Sequence, residues 1–241
     1  YWCDDYKLQR HVDYMEAHPE CGFTFHSAKV VTEDGALVNG ELMRPYHESR
    51  VVKPAELVDK AIGSPFASFL LRREIVEKLP DYYVDCPVGD RPLELMAADY
   101  GESYYFDEPM SVYRFGIRGS WTENQMKGDY VEKQQKYATD MWKMYHRFDA
   151  ETGGRFHEAC EHAGRRVEFL TAVNTRNFEL IYRPENADFL QELSRHDRFF
   201  IDFEHRFPKL YHGLRRLKSG APKQLESKKN DEKQLEEKEN V

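Results

Sequence analysis

The 241-residue chain contains no run approaching the roughly 20 consecutive apolar residues that a bilayer-spanning helix requires. Its first residues show no charged-then-apolar pattern of the kind found in a signal peptide. Membrane contact is therefore expected to be peripheral, and a cytoplasmic setting, at the inner face of the membrane where there is such contact, is the simplest one. Positive charge is in deficit. With 35 Lys and Arg against 43 Asp and Glu the net charge is -8, which argues against general nucleic-acid binding because phosphate backbones are held by excess cations. Cysteine is scarce. Cys3, Cys21, Cys86 and Cys160 are widely spaced and form no Cys-x-x-Cys pair, so neither a zinc site nor a disulfide framework is indicated, and reduced thiols are expected. No internal repeat is present.

What the chain does have is enough apolar side chain for a real core: 40% of its residues, with 15 Tyr and 15 Phe. It begins at Tyr1 rather than Met and runs at once into an amphipathic segment, which reads as a piece of something longer. Leu8, Val12 and Met15 recur at helical spacing between charged residues, predicting a helix over 6–17 with one buried stripe and with Asp4 or Asp5 as its cap. His18-Pro19-Glu20 stops it. Residues 22–27 and 29–31 have the aromatic and β-branched content of a strand, and Glu33-Asp34-Gly35 turns into another at 36–38. Residues 40–53, poor in apolar positions, are expected to form a surface loop, 54–61 a short helix, 65–71 a buried strand and 73–79 a short helix ended by Pro80. Residues 93–98 read as a helix closed by Gly101, and 103–106 and 110–114 as short strands about an Asp107-Glu108-Pro109 turn. Helix and strand alternate, so the region is α/β.

From residue 123 the texture turns helical, with helices expected at 125–148, 152–178, 185–195 and 197–218. The domain plan is thus 1–122 α/β, 123–218 α-helical and 219–241 a charged tail too poor in apolar residues to build a core. Phe203, Phe207, Leu210, Leu214 and Leu217 form an apolar stripe beside Arg206, Lys209, Arg215, Arg216 and Lys218. A basic amphipathic segment over 203–218 would allow peripheral contact with an anionic membrane. Packing of the stripe onto the protein's own helices is the first expectation, however, and Pro208 interrupts the helix.

Four stretches carry a resemblance. Tyr1-Trp2-Cys3-Asp4-Asp5-Tyr6-Lys7-Leu8-Gln9 resembles the segment that follows the acidic Asp-Asp pair of many bacterial family 2 glycosyltransferases, written there Asp-Asp-Tyr-Trp-x-Asp-Pro-x-Lys-Leu, with Asp5 in place of Pro. Ala67-Ser68-Phe69-Leu70-Leu71-Arg72-Arg73 is similar to their acceptor-side strand, and Gly89-Asp90-Arg91-Pro92-Leu93 to their Gly-Asp-Trp-Pro-Leu, with Arg91 for Trp. Asp107-Glu108-Pro109-Met110-Ser111-Val112-Tyr113-Arg114 is similar to the last strand of their catalytic domain, and Gly119-Ser120-Trp121-Thr122 to the loop after it. All occur in the family's order.

The resemblance implies the acceptor-side, C-terminal half of a GT-A nucleotide-sugar transferase fold over 1–122, followed by an α-helical extension. It implies inverting, single-displacement transfer of a sugar from a nucleotide diphosphate to a saccharide or lipid-linked acceptor, in the setting of cell-surface polysaccharide synthesis. That chemistry needs a carboxylate to deprotonate the acceptor hydroxyl, and a cation or basic groups to steady the departing diphosphate. Asp90 takes the base position. Arg114 and Arg118 are the implied basic partners, and Trp2, Gly89, Ser120 and Trp121 fall at implied substrate-binding positions. A divalent cation, Mg or Mn, is implied for the full-length protein with its main ligands upstream of residue 1 and none in this chain, and the fragment alone is expected to be inactive. Gly116 stands where many relatives carry His. On the residues alone, Asp90 ahead of Arg91-Pro92 is also a fitting helix cap, and Trp2 and Trp121 are fitting core residues. The rival to an enzyme is a degenerate, non-catalytic transferase module acting as a binding or scaffold domain.

Overall fold

In the computed structural model, which describes residues 1–60 and 63–218, strand β1 (Cys21–Val31) is buried without interruption over residues 21–28. That is the pattern of a strand covered on both faces. Phe23 and Phe25 point into the main core, their rings stacked at 5.0 Å. Thr24 and His26, of opposite parity, meet α1 (Lys7–Ala17): His11 Nδ1 lies 2.7 Å from Thr24 Oγ1, and the two imidazole rings are 5.4 Å apart.

The helix over 6–17 is present, but its buried face is Lys7, His11 and Met15, while Leu8 and Val12 are exposed. The two stripes share Met15 and differ by about one residue's rotation around the axis. The strand side offers the hydroxyl of Thr24 and the ring of His26, and a polar counterface selects His11 over Val12. Asp4 turns the chain into the helix, its Oδ1 accepting from Tyr6 N–H at 2.7 Å. Arg72 satisfies the far end, donating to Met15 O at 2.6 Å and to Cys21 O at 2.8 Å.

The sheet is mixed. Its order is β2 (Leu37–Met43), β1, β5 (Glu102–Arg114), β3 (Arg50–Val52), with the two-residue β4 (Leu70–Leu71) also on β1. Only β1 and β5 run parallel, and the crossover this requires is supplied by α5 (Asp90–Tyr100), buried at every position over 92–98, which leads straight into β5. Three expectations are corrected here. The expected loop over 40–53 contains the end of β2 and all of β3. The expected strand over 65–71 is a 3-10 turn, Phe66–Ser68, followed by β4, because Pro65 O accepts both the N–H of Ser68 at 2.8 Å and its hydroxyl at 2.6 Å. Asp107-Glu108-Pro109 is a bulge inside one continuous strand, the pairing stepping from His26 opposite Phe106 to Ala28 opposite Ser111. Arg44 Nε holds Asp107 at 2.6 Å and Arg10 holds Glu108, which pins the bulge; Pro109 sits where no ladder donor is needed.

Around the sheet lie α2 (Pro54–Val58), α3 (Arg73–Val76), α4 (Asp81–Asp85), α6 (Trp121–Gln125), α7 (Tyr130–Glu151), α8 (His157–Thr175) and α9 (Phe178–Ile181). The change of texture at 123 is not where the chain divides into compact units: one unit is Tyr1–Asn186 and the second begins at Ala187. The reason is packing. Met141, Met144, Tyr145 and Phe148 of α7, with Cys160 and Ala163 of α8, belong to the same core cluster as Phe23, Phe25 and Leu95. The second unit contains α10 (Ala187–Glu192), α11 (Arg195–Arg206) and α12 (Pro208–Lys218). Ser194 Oγ caps α11 by accepting from Asp197 N–H at 3.0 Å, and the helix expected over 197–218 breaks at Pro208. Phe207, Leu210 and Leu214, expected to pack on the protein's own helices, are exposed. The expected tail over 219–241 lies outside the described residues. All four cysteines are free thiols, and among the described residues no helix is long and apolar enough to cross a membrane.

Candidate functional site

In the first unit, the turn before α5, residues 63–66 and the facing sides of α7 and α8 enclose a cleft of about 640 Å3, a size typical of small-molecule sites. Asp90 lies on its wall, half-buried, as the first residue of α5. It is not the helix cap: Gly89 holds that position, and Asp90 Oδ1 accepts from the next backbone N–H, that of Arg91, at 2.8 Å. Burial, followed by the nearby charge of Glu94, raises its carboxyl above the usual carboxylate range. A carboxylate so tuned and facing a cleft is suited to take a proton from a hydroxyl.

One turn along α5, Glu94 is buried between two cations. Its Oε1 meets Lys60 Nζ at 2.5 Å and its Oε2 meets Arg91 Nη1 at 2.7 Å. Lys60 also donates to Ser64 Oγ at 2.8 Å. Arg91 donates to Tyr145 Oη and to Leu57 O, each at 2.9 Å, and to Val58 O, so it ties α5 to the end of α2 and to α7. Burial pushes the Glu94 carboxyl up, but Lys60 and Arg91 outweigh it and leave it below its usual range. With Asp90, two carboxylates and two cations balance within this wall.

The opposite character comes from aromatic rings. Trp121 and Tyr137 meet edge to face at 5.7 Å, and Phe66 and Tyr113 also line the cleft. Burial raises the Tyr137 phenol, so it remains a neutral hydroxyl at ordinary pH. Ser120 lines the cleft and also caps α6, its Oγ accepting from Glu123 N–H at 3.2 Å, while the Glu123 carboxylate accepts from Gly119 N–H. Arg166 of α8, another lining residue, bonds the Asp59 carboxylate at 2.7 Å, as does His162 Nδ1, which joins α8 to the end of α2.

Of the seven residues expected at the site, the cleft gathers Gly89, Asp90, Ser120 and Trp121. Trp2, Arg114 and Arg118 do not line it. Trp2 pairs with Ser111 of β5, its indole N–H donating to Ala67 O at 2.9 Å, and the Arg114 guanidinium lies 5.1 Å over the Tyr1 ring. Reasoning from sequence missed Lys60, Glu94, Tyr137 and Tyr145. Glu94 did carry a signal, a lone carboxylate inside Leu93-Glu94-Leu95-Met96-Ala97-Ala98. Lys60 and Tyr145 carried none, being distant in sequence from everything they touch.

Among the described residues no group of three or more His, Cys, Asp or Glu is placed to hold a metal ion.

The chain is similar to uncharacterized mycobacterial proteins. A stretch of 126 residues is 29% identical to an uncharacterized protein of Mycobacterium bovis and to two of Mycobacterium tuberculosis, covering 50% of this chain and 34% of each relative. The match thus spans about a third of those relatives' length. No family model and no solved structure matches the chain.

Proposed function

We propose that this chain is the acceptor-side part of an inverting nucleotide-sugar transferase of the GT-A, family 2 type, with Asp90 as general base. The observation that carries the reading is the position of Asp90, a carboxyl of raised pKa at the start of the crossover helix, facing a cleft whose other wall is aromatic. Faces such as those of Trp121 and Tyr137 suit a pyranose ring. In this reaction the acceptor oxygen attacks the anomeric carbon as its proton passes to Asp90, and the bond from that carbon to the diphosphate breaks with its electrons leaving on the diphosphate. The acceptor is a saccharide or a lipid-linked saccharide. The resemblance gives the diphosphate to Arg114, at the end of β5, and Arg118 after it, although neither lines the cleft that Asp90 faces, and in this reading the nucleotide and cation belong to sequence upstream. The four stretches in family order, and a β1-to-β5 crossover through α5, support the same reading.

The test uses the complete reading frame that contains this chain. Transfer from radiolabelled UDP-, GDP- and dTDP-sugars is measured for the unmodified protein and for Asp90→Asn, with circular dichroism as the check on fold. Loss of transfer with the fold intact is expected. Undiminished transfer would remove Asp90 from the base role. Upstream codons without βα units ending in Asp-Asp would reject the enzyme in favour of the binding or scaffold module.

A further inference from the structure

We propose that α11 and α12 form a docking hairpin for an anionic lipid surface. Four large apolar side chains on it are more than half exposed: Phe199 at 61%, Phe207 at 55%, Leu210 at 54% and Leu214 at 51%. They are not scattered. Phe203 stacks with Phe199 at 6.0 Å and contacts Phe207 at 5.8 Å and Tyr211 at 6.2 Å, and Tyr211 in turn meets Phe200 at 6.5 Å, so the rings of both helices join into one patch. Leu210 and Leu214 extend it by one turn of α12. A patch of this kind on an otherwise polar surface marks an interaction site.

Charge selects the occupant. Residues 195–218 hold seven Lys and Arg against three Asp and Glu, a net +4 in a chain whose total is -8. Arg195, Arg206, Lys209 and Arg215 are exposed, whereas Glu204 is buried with His212 Nε2 at 3.7 Å from its Oε1. The hairpin therefore presents cations outward beside its apolar rings. A second copy of the same face would set like charges against each other, whereas an anionic headgroup layer offers both a counter-charge and an apolar layer below it. With 12 and 11 residues the two helices are too short to span and suit lying in the plane of the interface. The inference does not rest on the transferase reading.

The experiment is flotation of the 241-residue chain with vesicles of phosphatidylcholine, with and without phosphatidylglycerol, at low and high salt. The unmodified chain is expected to float with the anionic vesicles and to be released by salt. The Phe207→Ser/Leu210→Ser/Leu214→Ser variant, altered only at exposed positions, is expected to bind at least about tenfold more weakly with unchanged helix content, and Lys209→Gln/Arg215→Gln to lose a similar factor on anionic vesicles alone. Absence of flotation by the unmodified chain would overturn the proposal, as would binding that neither variant weakens. Sedimentation showing self-association that the triple variant abolishes, in the absence of lipid, would overturn it in favour of an interface between copies.

Discussion

Lys60 and Glu94, 34 residues apart in sequence, meet through side chains that are each 3% exposed, and Arg91 closes the same carboxylate from its other side. Burying charge is costly unless every partner is present, so removing one member leaves its counter-charges stranded. Glu94→Gln strands two cations and is expected to cost about 3–5 kcal/mol in urea unfolding. Lys60→Met should then cost much less in the Glu94→Gln background than in the unmodified chain. A double-mutant cycle with no coupling would show that the pair does not act as a unit.

Asp90 separates activity from stability. Its carboxyl is raised in the folded chain, first by burial and then by Glu94, so ionising it opposes folding, and the stability it contributes is full below the unfolded value and is lost as pH rises from there through the raised folded value. Asp90→Asn keeps an acceptor for the Arg91 N–H and is expected to be at least as stable as the unmodified chain at neutral pH. Under the proposed transferase reading, the substitution in the complete protein should lower the transfer rate about 100- to 10,000-fold, and the acid limb of the unmodified protein's pH profile should lie above the ordinary carboxylate value. An Asn variant that is both unfolded and inactive would point to a structural role instead.

The parts of this fold that could be read from sequence are those where one residue type has one use. β1 was legible because a strand covered on both faces reads as a continuous apolar and small-residue run. The start of α5 was legible from Gly89-Asp90-Arg91-Pro92, although the carboxylate turned out to face a cleft rather than cap a helix. The buried face of α1 was not, since periodicity fits Leu8 and Val12 as well as Lys7 and His11, and only the polar strand opposite decides between them. Nor was the inclusion of α7 and α8 in the main core, because an amphipathic helix does not announce which surface it covers. Arg91 was read as standing in place of Trp, and its four side-chain hydrogen bonds, to Glu94, Tyr145, Leu57 and Val58, could be seen only once α2, α5 and α7 were assembled.

The buried imidazoles make acid stability a sharp test of the α1 packing. Burial, with the charge of Lys7 adding to it, holds His11 down at about 3, and burial likewise holds His26 at about 4. Unfolded, both titrate at about 6.5. The folded chain keeps them neutral while the unfolded chain takes up protons, so the stability they provide is complete above about pH 6.5 and is lost progressively as pH falls through about 4 and 3. Unfolding free energy is expected to drop by on the order of 3 kcal/mol between about pH 7 and about pH 5. His26→Gln should flatten that slope, and an equal slope in the variant would mean that other groups carry it.

The seam between α7 and α8 has no slack at Gly164. A Cβ there would lie 2.7 Å from Trp142 Cε3 and Cζ3, and the indole is itself held by stacking on His146 at 4.9 Å. Gly164→Ala is therefore expected to destabilise the chain by about 1–3 kcal/mol through overpacking, despite the gain in helix propensity that Ala normally brings. Trp142→Leu should relieve the clash, so that Gly164→Ala costs less in that background than alone. Because Ala163 and Arg166 beside it line the cleft, the same substitution should also move the α8 wall, seen as amide shifts at Val167 and Leu170 by NMR. A Gly164→Ala chain that melts like the unmodified one, with those amides unmoved, would show that the seam yields without cost.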